Sequence, residues 1–273
     1  MTSWNLDLFQ RDLRFSVLGS GSRGNASVVW SGDDAVLVDC GLPARRTIKH
    51  LCEIGVDPEK LKGVFLTHEH SDHIGGVDVL ARKLGVPVFC TPGTRDGLRL
   101  SRSVAVHTVE AGRALRIGGL DVEPFRVNHD VPDPVGFVVG AGVHRVGFAT
   151  DMGSVRESVV RALRTCRAAL LEFNHDEYML RHGEYPTFLK RRVASDLGHL
   201  SNRQGAALLG RLLGSRLEHV LLGHLSLKNN RADLALSAAH SALEGSGQAM
   251  SVTVAEQGAP SEVLRLHDGD MPP

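Results

Sequence analysis

The sequence predicts an α/β (α+β) protein in which two mixed β-sheets pack face to face and helices cover the outside. Three observations predict it. Short runs rich in β-branched and aliphatic residues outnumber helical patterns in the first half of the 273-residue chain. Strands and helices alternate in the final third, and no low-complexity linker interrupts the pattern. A polar leader over residues 1–13 and one domain over residues 14–273 are therefore expected.

In order, RFSVLG, ASVVW and AVLVD (35–39) are short apolar runs separated by GSGSRGN and SGDD, and they read as antiparallel strands joined by turns. PARRTIKHLCEIG (43–55) has helical spacing of its apolar residues, and GVFLT (63–67) is a buried-type strand. DHIGGVDVLARKLG then reads as one helix and PVFC as a strand. The middle block, VAVHTVE, ALRIGGLDVEPFRVNH, VGFVVGAG and VHRVGFATD, is nearly all strand with glycine turns. After it, ESVVRALRTC, NRQGAALLGRLLG and ADLALSAAHSAL are helical, and AALLEF, HVLLGH and SVTVAEQ are strands.

Thirty-one basic residues balance thirty-one acidic ones, so net charge gives no reason for whole-molecule attraction to nucleic acid or membrane. No apolar run reaches eighteen residues, and MTSWNLDLFQRDLRF lacks the apolar stretch of a secretory signal, so a cytoplasmic location without a membrane partner is expected. Cys40, Cys52, Cys90 and Cys166 form no CxxC pair and fit reduced thiols that serve packing. The unusual feature is fourteen histidines, the commonest metal-ligand type.

FLTHEHSDHIGG (65–76) gathers His68, His70, Asp72 and His73. A strand ending at Thr67 puts His68 and His70, two apart, on one side of an extended segment. Asp72 and His73 follow at a helix start, with Gly75 and Gly76 leaving space beside them. Two imidazoles pointing one way and a carboxylate with a third imidazole pointing onward suit two adjacent metals. Glu69, between them, receives no role. Further candidates cap apolar runs elsewhere: His129 in RVNHD, Asp151 in RVGFATDMG and His224 in HVLLGHLS.

The order HxHxDH, His, Asp, His resembles the metallo-β-lactamase fold, and SVLGSGSRGNASVV (16–29), VLVDCG (36–41), LGHLSN (197–202) and LGHLSLKNN (222–230) are similar to its YycJ-like branch. The resemblance implies a four-layer αββα sandwich with a dinuclear site in the cleft between the sheet edges. It implies one metal on His68, His70 and His129, another on Asp72, His73 and His224, Asp151 bridging, and a hydroxide held between the metals. Asp39 is implied beside the site as a carboxylate that fixes a ligand histidine's tautomer. Histidines with carboxylates suit two zinc ions, with manganese open.

The branch implies a metal-dependent phosphodiesterase, in particular a DNA exonuclease, with Asp72, Asp151 and His199 catalytic. Thioester or lactone hydrolysis of the glyoxalase II kind, and a non-catalytic metal-binding regulator, are the competing readings. No cysteine occupies a ligand position, and the 72 residues between Asp151 and His224 leave no room for the inserted domain of larger nucleases of this fold. Residues 161–216 hold ten basic against five acidic residues, a local excess that a phosphate-tracking surface would need. Ser201 and Gln204 form a capping box opening a helix at Asn202. A helix start facing the metals would place Ser201 and Asn202 at the substrate and His199 at the leaving oxygen. Asn230 is expected to cap the next helix, and Ser22 and Asn25 to make a tight turn or line the cleft.

Overall fold

The computed structural model describes residues 12–267, so the expected leader, apart from Asp12 and Leu13, lies outside the described residues. The first half of the chain runs β1 (Leu13–Gly19), β2 (Ala26–Ser31), β3 (Asp34–Val38), α1 (Ala44–Glu53), β4 (Leu61–Phe65), α2 (Ser71–Ile74), α3 (Val77–Leu84), β5 (Val88–Cys90), α4 (Pro92–Gly97) and β6 (Val106–Thr108). The second half runs β7 (Leu115–Ile117), β8 (Leu120–Arg126), β9 (Val135–Ala141), β10 (His144–Ala149), α5 (Glu157–Leu163), β11 (Ala168–Glu172), α6 (Glu177–His182), α7 (Thr187–Val193), α8 (Asn202–Arg211), β12 (His219–Gly223), α9 (Ala232–Leu243), β13 (Ser251–Val254) and β14 (Leu264–Leu266).

The strands form two seven-stranded sheets, ordered β14-β1-β2-β3-β4-β5-β6 and β13-β12-β11-β10-β9-β8-β7. Both are mixed: β1, β2 and β3 are antiparallel while β3 to β6 are parallel, and β7 to β10 are antiparallel while β10 to β13 are parallel.

The period of two decides which side chain enters which layer. Along β3, Val36 and Val38 face the core between the sheets, while Ala35 and Leu37 join the outer core beneath the first-half helices. Along β9, Val135, Phe137, Val139 and Ala141 face inward and Val138 faces the helices of the second half. Phe65 lies at the inter-sheet centre, stacked on Phe89 with ring centroids 4.6 Å apart and meeting Phe137 edge to face. Each such buried aromatic contributes about 1.5–3 kcal/mol. Three apolar layers separated by two sheets make the four-layer αββα sandwich.

The continuous helix expected over DHIGGVDVLARKLG is instead two. A continuous helix would give the Asp72 carbonyl to Gly76 N–H. That carbonyl accepts from Asn25 N–H (2.7 Å), and Gly76 N–H donates to Cys40 O (2.8 Å). Asn230 is not the cap of α9, whose N-cap is Arg231 without a side-chain bond. Instead, Asn230 Nδ2 donates to Phe173 O and to Asn202 Oδ1, both at 2.8 Å. The short α4, α6, α7 and β14 had no sequence expectation. Of the cysteines, Cys40, Cys90 and Cys166 are buried as expected, whereas Cys52 is exposed. Among the described residues no helix is long and apolar enough to cross a membrane.

Candidate metal centre

The chemistry-bearing residues follow the carboxyl ends of strands at one rim of the sandwich. Asp39 follows β3, His68 to His73 follow β4, His129 follows β8, Asp151 follows β10, Glu172 ends β11 and His224 follows β12. Asp39 (φ 61°), Asp151 (φ 58°) and His224 (φ 56°) are the only described non-glycine residues with positive φ. Such backbone is strained for L residues and persists where surrounding structure over-determines it. Here the next hydrogen bonds hold it: Asp39 N–H donates to Phe65 O (2.8 Å) and His224 N–H to Ser20 Oγ (2.8 Å).

All seven expected ligands come together. Donor atoms within 4.8 Å of one another form overlapping groups: His68, His70 and His129; Asp72, His73 and His224; and His68 and His73 with Asp151. A fourth group joins Asp151 and His224 to Glu172 and His199. Asp151 thus lies between the histidine triad and the Asp72, His73 and His224 group.

Hydrogen bonds at the far ring nitrogens fix the tautomers. His73 Nδ1 donates to Asp39 Oδ2 (2.8 Å), and His129 Nδ1 donates to Gly198 O (3.1 Å). Thr67 Oγ1, which donates to Asp39, lies 3.0 Å from His68 Nδ1 and can accept from it. Each ring therefore turns an Nε2 lone pair inward. His70 Nδ1 then lies 3.0 Å from His68 Nε2 and 3.2 Å from His129 Nε2. One ring nitrogen carries at most one proton, so at least one of these contacts sets lone pair against lone pair.

The second cluster poses the same problem. Asp151 Oδ2 is buried and accepts no hydrogen bond, although it lies 3.1 Å from His73 Nε2. Asn25 Nδ2 also approaches His73 Nε2, at 3.0 Å, and donates to Asp72 O, so Asn25 is part of the site's wall. His224 Nε2 sits 3.4 Å from Asp72 Oδ2 and 3.5 Å from Asp151 Oδ1. Converging lone pairs and an orphaned carboxylate oxygen are the donor set that divalent cations satisfy.

Electrostatics divide the two groups. Burial pushes His68 well below the usual imidazole pKa and lowers His70. Burial also opposes charge on His73 and His224, yet the Asp151 carboxylate leads a set of acids that outweighs it. His73 is raised well above its usual value, and His224 to about 10. Burial likewise opposes charge on Asp151, which the His224 and His73 rings nevertheless hold well below the usual carboxylate range. Burial thus disfavours charge on His68 and His70, while the neighbouring carboxylates favour it on His73 and His224.

Several functional neighbours escaped the sequence reading. Glu172, fully buried, accepts from Met152 N–H (2.6 Å) and from His199 Nδ1 (2.8 Å). Its signal was a carboxylate ending an apolar strand, the same signal that marked Asp39 and Asp151. Asp130, next to His129, accepts from Arg192 Nε (2.5 Å) and lies 3.4 Å from His129 Nε2. Arg192, Leu189 and Val193 of α7, with Tyr185 before it, wall a cleft of about 340 Å³ that also reaches Asp72, Asp151, His199 and His224. Ser22 lines this cleft.

Ser201 and Asn202 are not brought to the cleft that reaches Asp72, Asp151, His199 and His224. Ser201 is buried; its Oγ accepts from Gln204 N–H and donates to Glu177, and its N–H donates to Gln204 Oε1 (2.9 Å), which completes the capping box. Asn202 is buried against Asn230, with its Nδ2 donating at 2.9 Å. Their polar atoms are consumed within the protein and neither lines the cleft. The basic surplus of residues 161–216 is also divided. Arg167 is buried and paired with Glu218 (2.7 Å), Arg211 pairs with Glu157, and Arg164 donates to Arg211 O (3.0 Å). Only Arg192 of the ten lines the cleft.

A four-layer sandwich with histidines and carboxylates converging at its strand ends defines the class of metal-dependent hydrolases. Residues 34–224 match the family described as the beta-lactamase superfamily domain, and the chain belongs to that family. It is 38% identical over 228 residues to the exodeoxyribonuclease WalJ of Streptococcus pneumoniae, covering 81% of this chain and 85% of the relative. It is 33% identical over 262 residues to the exodeoxyribonuclease YycJ of Bacillus anthracis, covering 94% and 96%. Among solved structures, the metallo-beta-lactamase fold protein YhfI of Bacillus subtilis superimposes with a TM-score of 0.71 at 19% identity, covering 93% of this chain and all of that one.

Proposed function

We propose that this protein is a metal-dependent phosphodiesterase that removes nucleotides from DNA, working with two divalent cations, zinc first and manganese second. The observation that carries the reading is 33% identity to an exodeoxyribonuclease along 94% of the chain, with the site inside the matched region. His68, His70 and His129 would hold one cation, Asp72, His73 and His224 the other, with Asp151 shared. Divalent cations in such a set polarise phosphoryl oxygens and make water acidic at neutral pH.

The chain's own residues supply orientation and proton transfer. Asp39 and Gly198 O hold the His73 and His129 rings so that each turns Nε2 inward. Glu172 holds His199 Nδ1, which leaves Nε2 to give a proton to the leaving oxygen, and its carboxylate stabilises the imidazolium before transfer. Arg192, anchored by Asp130 at the cleft wall, is placed to bind a phosphate oxygen. Leu189 and Val193 present an apolar wall that limits water on that side.

The test incubates the zinc- or manganese-loaded protein with end-labelled DNA, end-labelled RNA and a thioester. Stepwise shortening of DNA is expected, abolished by Asp151→Ala and slowed about 10²-fold or more by His199→Ala. Hydrolysis of the thioester with intact DNA would establish the thioesterase reading. That arm is included because nine of the ten basic residues of 161–216 lie away from the cleft. Bound metal without turnover of any substrate would leave a metal-binding regulator.

A further inference from the structure

Helix α7 has a second exposed side, opposite in purpose to the one that walls the cleft. Between α6, α7 and the first turn of α8 runs a groove of about 440 Å³ lined by Arg181, Lys190, Arg191 and Arg203, with Leu180 at its floor. Its one acidic lining residue, Glu177, is already engaged by Arg203 Nε (3.0 Å) and Ser201 Oγ (2.9 Å). Lys190 Nζ donates to Arg181 O (2.9 Å), a hydrogen bond that leaves its charge uncompensated. Arg181 and Arg191 are exposed, and their guanidinium groups make no ion pair among the described residues. Arg181, Lys190 and Arg191, gathered without counter-charges, repel one another, so a polyanion lying in the groove would relieve that repulsion.

Aromatic placement narrows the polyanion. Tyr178 is 71% exposed and Phe188 72% exposed, unusual values for side chains of that size. Tyr178 precedes Arg181 by three positions on α6, and Phe188 precedes Arg191 by three on α7. Residues three apart are surface neighbours on a helix. Each helix therefore places one exposed aromatic ring beside one unpaired guanidinium at the margin of the groove; on α6 the Tyr178 ring also packs against His182, with centroids 4.1 Å apart. Aromatic platforms interleaved with cations are what unpaired bases and their phosphates require, whereas an acidic peptide uses the cations alone.

We infer that the α6–α7 groove binds a single-stranded stretch of the nucleic acid whose end occupies the metal cleft. The inference rests on the phosphodiesterase reading for the cleft itself. Helix α7 would then be a partition touched on both sides: Arg192 meets the reacting phosphate, while Arg191 and Lys190 hold phosphates further along the strand. Such a grip favours substrates several nucleotides long over mononucleotide-sized ones.

The experiment measures binding of a fluorescent, hydrolysis-resistant phosphorothioate 20-mer single strand to the metal-loaded protein by anisotropy across a salt series. Arg181→Ala with Arg191→Ala should weaken binding about tenfold or more at low salt. The same pair should reduce the slope of log affinity against log salt by about 1.4, roughly 0.7 for each phosphate that is no longer neutralised. Tyr178→Ala with Phe188→Ala should weaken binding at an unchanged slope. Thermal melting of each variant confirms the fold. Unaltered affinity and slope in the arginine pair, or equal competition by polyglutamate and unlabelled single strand, would overturn the inference. Because the probe is not cleaved, these outcomes are independent of turnover: weaker binding by the variants without DNA shortening by the parent would refute the nuclease and retain the groove.

Discussion

At the residue scale, the positive-φ aspartates and histidine carry two requirements at once. Asp39 must adopt φ 61° and must also present both carboxylate oxygens, to Thr67 N–H and Oγ1 and to His73 Nδ1. Asparagine tolerates the same backbone, so Asp39→Asn isolates the charge from the conformation. The expected outcome is a 10–100-fold loss of zinc affinity with an unchanged far-ultraviolet spectrum. Competition with a chromogenic chelator measures it, and parental affinity would show that the His73 ring is held without this carboxylate. The same dual demand explains why Asp39, Asp151 and His224 can be picked out as strand-capping residues: a polar residue ending an apolar run is conspicuous. Glu172 ends such a run too, but in the sequence it weighs only as one acid in a charge balance. Arg192 and Asp130 give no local pattern, because their pairing joins residues 62 apart in sequence.

At the element scale, the α2 turn is shaped by close backbone approach. A Cβ on Gly41 would sit 1.7 Å from Asp72 O, and one on Gly76 would sit 2.0 Å from Leu42 O. Both obstacles are backbone atoms that already accept or flank hydrogen bonds and cannot swing away. Gly41→Ala should therefore destabilise by roughly 3 kcal/mol or more, beyond the usual range for overpacking a side-chain core. It should also reduce bound metal, because Asp72 and His73 ride on the displaced turn; denaturant melts and metal analysis check the two effects. The helices that are legible in the sequence, α1, α5, α8 and α9, follow apolar spacing over a full seven residues or more. The shorter α4 and α6 lie below the length at which that spacing is informative. In α7, Phe188 faces water, so its apolar residues do not mark one buried side. The break between α2 and α3 is hidden because it is made by Asn25 and Cys40, far away in sequence.

At the scale of the whole molecule, the site draws on both sheets: His68 to His73 belong to the first, and His129, Asp151 and His224 to the second. Cations bound there would tie the halves together and stabilise the folded state by mass action. At free zinc 1,000-fold above its dissociation constant the gain is about 4 kcal/mol. Chelation should therefore lower the calorimetric midpoint by roughly 10 °C. A midpoint unmoved by chelator and by added zinc would contradict metal binding at this junction. The sandwich itself is legible because period-two patterns survive in β3 and β9, where each face meets a different core. Its charge distribution is not: Arg167, one of the ten cations of residues 161–216, is 3% exposed and bonded to Glu218 and to His267 O.

The position of β14 has a further consequence. It is the last described strand, yet it completes the first sheet by pairing with β1, Leu13 opposite Leu266. During synthesis at roughly 5–20 residues per second, the outer edge of β1 waits roughly 12–50 s for its partner. An uncovered strand edge is a template for another chain. The nascent protein thus passes through an interval in which neighbouring ribosome products compete for a place that its own carboxyl-terminal region will fill.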